Sequence, residues 1–240
     1  MGTMPLTNEL DLIDPTLSAR RQWLCTQLAK ILPNNVVTLA SNDSRTRVFF
    51  EEWTGQSQKS LEDAWQFKEG FTRASTPEER KRGVWIRNGG GAVTTSCEGL
   101  IGKAVSKLTT AGFGNPLRGK MSSFNLVGCD HGREPAQATV GWHWWRDRTP
   151  ELYPQPGDFF QLGTPIKPGL WSFAHVGVIT GWGDERNPMW TTVEAGQGGP
   201  STGYDFMKRK GPRQMNPVDP RQPKKEMMGW LNLDEFFGDK

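Results

Sequence analysis

Thr94-Thr95-Ser96-Cys97-Glu98-Gly99-Leu100-Ile101-Gly102-Lys103-Ala104-Val105 is the stretch on which the fold turns. Leu100, Ile101, Ala104, Val105 and Leu108 recur at helical spacing, so a helix buries that stripe. Upstream, Gly89-Gly90-Gly91 breaks any regular element, and Ser96 or Thr95 can cap the helix. Cys97 then falls at or beside the first turn. There the unpaired N–H groups and the helix dipole favour thiolate, the form in which cysteine is a nucleophile.

Such a thiol needs a base, and the chain offers three histidines, His131, His143 and His175. Ala174 to Thr180 alternates so that His175, Gly177 and Ile179 share one face of a predicted strand, a rigid mount for a base. A third polar group normally fixes the imidazole. Met189 to Ala195 reads as the next strand and carries Glu194, which comes level with His175 if the two strands form a hairpin. Gln197 is a rival orienter. His143, among Trp142, Trp144 and Trp145, is expected to pack or to line a substrate groove. Cys129-Asp130-His131 could be half a metal site, but no second pair accompanies it. Cys25 lies inside an apolar helical run and reads as a small core residue.

The spacing predicts helices over Ser18 to Leu32, Ser60 to Phe71 and, more briefly, from Thr76-Pro77-Glu78-Glu79. Residues 1–15 read as a polar arm. Val36 to Leu39 and Arg47 to Phe50 read as strand or turn, and Ala136 to Arg146 as a further helical stretch. After Pro156 the pattern becomes β: Gly157 to Leu162, then the two strands above, with Gly181-Trp182-Gly183-Asp184 as a turn. Lys208 to Lys225 is basic and Pro-rich and reads as a loop. Trp230, Leu231, Leu233 and Phe236 form a closing strand or short helix. Helices first and an antiparallel meander after them give an α+β fold. Residues 1–82 form a helical N-terminal extension and 83–240 the chemical domain.

Several of these segments, in this order, resemble the NlpC/P60 family. Val84-Trp85-Ile86-Arg87-Asn88-Gly89-Gly90-Gly91 followed by Ser96-Cys97-Glu98-Gly99-Leu100-Ile101 is similar to its nucleophile-helix start. Pro156-Gly157-Asp158-Phe159-Phe160 resembles its Pro-Gly-Asp strand entry, and His175-Val176-Gly177-Val178-Ile179 its histidine strand. Val193-Glu194-Ala195 stands where the family carries its third polar residue; the related CHAP amidases sometimes use a carboxylate there. The resemblance covers roughly residues 83–200 and implies a papain-like core, a nucleophile-bearing helix packed on an antiparallel sheet. It further implies thiol hydrolysis of amide bonds in peptidoglycan stem peptides, with Cys97, His175 and Glu194 as the catalytic residues and Trp85 Nε1 as a possible second oxyanion donor. Ser96 replaces the usual Asp, Glu98 replaces Ser, and Glu194 replaces the commoner His. These departures bear on the substrate more than on the Cys–His chemistry.

Composition narrows the classes. With 240 residues the chain can bury a core without staples, and its three cysteines show no CxxC spacing. A net charge of +3 is too small for a nucleic-acid-binding signature, and no apolar run is long enough to span a membrane. The glycine run lacks the Lys-Ser/Thr of a phosphate loop. No cofactor or metal is expected. Met1 to Glu9 has neither the basic start nor the apolar core of a secretory signal. The expectation is therefore a protein cytoplasmic in its producer and exported by a non-Sec route to a target-cell periplasm, as an antibacterial effector toxin, or a lysin. An effector implies an immunity protein plugging the Cys97 cleft. Two alternatives stand beside it: a papain-fold toxin that deamidates or cleaves a cytosolic protein, and a non-catalytic wall-binding protein using its tryptophans.

Overall fold

The computed structural model describes residues 14–31, 36–38, 41, 43–56, 65–67, 85–87, 96–117, 119–182, 189–196, 206–214 and 225–239. The Gly89–Gly91 run, Thr95, Gln197, the arm up to residue 13 and the turn of helix at Thr76 lie outside them. The chain is α+β. Helix α1 spans Ala19–Leu28, with the Ser18 hydroxyl accepting from the Arg21 N–H as its cap. Strand β1 is Val36–Val37 and helix α2 is Ser44–Thr54. Strands β2 (Trp65–Phe67) and β3 (Trp85–Arg87) pair with each other. Helix α3, Ser96–Thr110, carries Cys97. Strands β4 (Trp142–Trp144), β5 (Phe159–Lys167), β6 (Leu170–Trp182), β7 (Met189–Glu194), β8 (Met207–Gln214) and β9 (Glu226–Leu231) follow, and α4 (Leu233–Phe236) closes the chain.

Seven strands form one antiparallel sheet in the order β1-β8-β7-β6-β5-β9-β4. Both of its faces are covered. On one face Phe159, Val176, Val178 and Val193 meet Leu100, Ile101, Ala104 and Leu108 of α3 in a single apolar cluster. Leu24 and Leu28 of α1, with Phe50 and Trp53 of α2, belong to that same cluster. The helices of the N-terminal portion therefore share a core with α3. Phe160, Ile179, Trp190, Met227 and Trp230 build a second cluster on the other face. No helix among the described residues is long and apolar enough to cross a membrane.

A buried ionic clamp joins the two ends of the chain. Arg21, 1 % exposed, sets Nη1 2.7 Å from the fully buried Asp158 carboxylate. It also donates to the Pro156 carbonyl and Asn232 Oδ1, both at 2.9 Å, and to Asp234. Asp158 accepts in addition from the Gln155 and Leu233 N–H groups. The Asp of the Pro-Gly-Asp segment is thus a structural hub binding α1, the entry to β5 and α4.

Four local expectations are corrected. Arg47 to Phe50 is helical: Asp43 accepts the Arg45 N–H, Gly55 ends α2 at φ 70°, and burying Phe50 and Trp53 outweighs local β propensity. Within the helix expected over Ser60 to Phe71, Trp65–Phe67 is strand β2, and the rest of that span lies outside the described residues. The helix expected from Ala136 to Arg146 is replaced by β4 and a 3-10 turn over Trp145–Asp147; Gly141 at φ 80° breaks any helix, and β9 offers an edge to pair with. The first part of the expected basic loop is strand β8, which pairs with both β7 and β1. Lysine and arginine stems lie along a sheet when their charged ends find water or a carboxylate.

Candidate active site

Cys97 occupies the second position of α3, where backbone N–H groups lack intrahelical acceptors. Ser96, fully buried, fixes the start of this helix by accepting a hydrogen bond from the Gly196 N–H. Gly196 lies two residues beyond Glu194. The helix start and the end of β7 are therefore tied together just where their two polar side chains stand.

His175 sits on β6 beside a bulge, where the register against β5 shifts between Leu162 and Gly163. Bulges bend a strand and re-aim its side chains. The ring meets the edge of Phe160 at 6.2 Å, and its Nε2 stands 3.0 Å from Glu194 Oε2. The Cys97 thiol is its other hydrogen-bond partner. Cys97, His175 and Glu194, expected together from sequence, are brought together.

Burial pushes the His175 pKa down, but the hydrogen bonds to Cys97 and then to Glu194, with the charges of both, outweigh it and raise the pKa to about 9. At neutral pH the ring is imidazolium. An imidazolium beside a thiol at a helix N-terminus favours thiolate. Cys97 is 2 % exposed and belongs to the apolar cluster under α3, and the His175 side chain is 13 % exposed, so among the described residues the thiol is covered and not set in the open cleft expected from sequence.

Glu194 is held from three sides. Its Oε2 accepts from His175 and from Lys210 Nζ, the latter at 2.5 Å, and its Oε1 accepts from the Thr192 hydroxyl at 2.7 Å. The carboxylate is 3 % exposed and Lys210 13 %. Sequence reasoning missed Lys210, because Lys208 to Lys225 reads as a loop. One signal could have found it: Phe206-Met207-Lys208-Arg209-Lys210 has the length of a strand opposite Met189 to Ala195.

The other histidines lie elsewhere. His143 Nε2 stands 3.0 Å from Glu235, with its ring against Trp230. His131 is exposed at a positive φ of 47°. Cys25 and Cys129 are buried like Cys97, and burial pushes both of their thiols up to about 12. Among the described residues no three His, Cys, Asp or Glu side chains gather as a metal site. The Trp85 side chain and Gln197 lie outside the described residues. Comparison with family models, with curated proteins and with solved structures finds no match to this chain.

Proposed function

We propose that the protein is a papain-like cysteine hydrolase of the NlpC/P60 kind that cleaves an amide bond in peptidoglycan stem peptides, as an exported antibacterial effector or a lysin. The observation that carries this is the assembly of Cys97, His175 and Glu194 around one imidazole, with the thiol in the first turn of a helix. The order of the segments in the chain supports the substrate class.

The chemistry is acyl transfer. His175 holds the proton of Cys97, and the thiolate attacks the amide carbonyl. The oxyanion forms beside the Cys97 backbone N–H, a position at which one preorganised donor is worth about 3–4 kcal/mol in other hydrolases. His175 protonates the leaving amine, and the thioester is left on the sulfur. Water, deprotonated by the same imidazole, then releases the acid and restores the thiol. Glu194 keeps the ring oriented and stabilises its positive charge.

Purified protein incubated with sacculi is expected to release peptide fragments seen by mass spectrometry. Cys97→Ala abolishes release and keeps the wild-type melting transition. Sacculi left intact by folded wild type count against the substrate.

A further inference from the structure

Lys210 has no place in the chemistry above, yet it is largely buried and its Nζ donates to the very carboxylate oxygen that faces His175. A lysine is rarely taken out of water without a purpose or a partner. Here the partner is itself the orienter of the base. The four groups contact one another in sequence, Cys97, His175, Glu194 and Lys210, and their charged forms alternate in sign.

We propose that Lys210 is a positioning residue that balances the charge of Glu194, so that the buried site holds the thiolate–imidazolium pair with no net charge. The proposal rests on the Cys97–His175 chemistry, and not on the identity of the substrate. Without the ammonium, the cluster carries one uncompensated negative charge in a poorly solvated place. Its affinity for a proton then rises, whichever atom takes it. The thiol gives up its proton only at higher pH.

The surroundings leave few other groups for this task. From β5 and β9 the face beyond His175 presents Phe160, Leu162, Met227 and Trp230, none of which titrates. On β7 it presents Thr192, already hydrogen-bonded to Glu194. On β8 the neighbours are Lys208, level with Glu194 in the register and 5.8 Å from the Phe206 ring, and Arg209, whose charge acts on Cys25. On α3 the nearest acid is Glu98, within 3.5 Å of the Ser123 hydroxyl. Lys210 is a cation in direct contact with the carboxylate.

The test needs no substrate. Iodoacetamide is reacted with the full chain across a pH series, and alkylation of the Cys97 peptide is read by mass spectrometry. In Lys210→Met the midpoint of the pH profile is expected to move up, by less than the ~1 unit that a charge in direct contact gives, because Glu194 and His175 stand between the ammonium and the sulfur. Lys210→Arg, which keeps the charge, is expected to return most of that shift. If Lys210→Met does not fold, Glu194→Gln is compared with Glu194→Gln/Lys210→Met, where the lysine is removed without leaving an unpaired carboxylate. The double variant is expected to titrate higher than the single. A midpoint unmoved by losing the lysine, or moved as far by arginine as by methionine, overturns the proposal. Intact sacculi would overturn the substrate and leave this result standing.

Discussion

The Ser96 hydroxyl accepts a hydrogen bond from the Gly196 N–H, which ties the residue before the thiol to the chain just past Glu194. Two elements that sequence separates by about a hundred positions are thereby held at one distance. In Ser96→Ala the buried N–H loses its acceptor, which costs about 1–3 kcal/mol. The expected result is a lower urea midpoint together with slower Cys97 alkylation at fixed pH. A stability loss with an unchanged alkylation rate would show that the tie serves the fold alone.

Arg21 and Asp158 form an ion pair with almost no contact with water. Removing one partner leaves the other charged and buried, which costs about 3–5 kcal/mol. Arg21→Met is therefore expected to unfold at much lower urea than wild type. Truncation that removes α1 is expected to do the same, because Leu24 and Leu28 then leave the core together with Arg21. Circular dichroism during urea titration checks both.

Stability also depends on pH through His175. Its folded pKa of about 9 lies above the 6.5 of a free imidazole. The folded state keeps a proton that the unfolded chain gives up, so rising pH favours unfolding. For the imidazole alone the contribution is complete below about pH 6.5 and is lost as pH passes about 9; with Cys97 as thiolate, the pair as a whole holds an extra proton on folding only once the unfolded thiol ionises, at about pH 8.5. Cys25 and Cys129 act in the same direction only at higher pH, because their thiols are held up to about 12. Urea unfolding is expected to lose stability in wild type as pH rises from about 8.5 through 9, with a flatter response in His175→Gln.

How far the sequence told this in advance differs from part to part. The α3 stripe, the Pro-Gly-Asp turn and the alternation around His175 are local patterns, and they placed α3, β5 and β6 near where they lie. Glu194 followed once β6 and β7 were treated as a hairpin. What stayed hidden depends on distant partners. Arg47 to Phe50 has β-branched and aromatic residues yet is helical, because a cap at Asp43 and burial against α3 decide it. Asp158 reads as a turn residue until Arg21, from the other end of the chain, is found on it. Lys210 reads as a loop charge until β8 pairs with β7 and sets it on Glu194.

Gly177 lies between the catalytic candidates and the sheet, and it offers the sharpest separation of site from scaffold. A Cβ there would stand 2.6 Å from Phe160 and 3.0 Å from Glu194 Cγ. Both neighbours must shift, and both touch His175. Gly229 is packed more tightly still: a Cβ there would press into the His143 carbonyl oxygen and stand 2.7 Å from Trp142, away from the imidazole. Overpacking of this kind costs about 1–3 kcal/mol at either position. Gly177→Ala is thus expected to slow Cys97 alkylation and any amide hydrolysis about tenfold or more, as misplaced catalytic groups do. Gly229→Ala is expected to lower the urea midpoint by at least as much while leaving the alkylation rate near wild type under native conditions. Equal losses of reactivity in the two variants would mean that packing strain anywhere in the sheet reaches the thiol, and that the carboxylate beside Gly177 has no special hold on the imidazole.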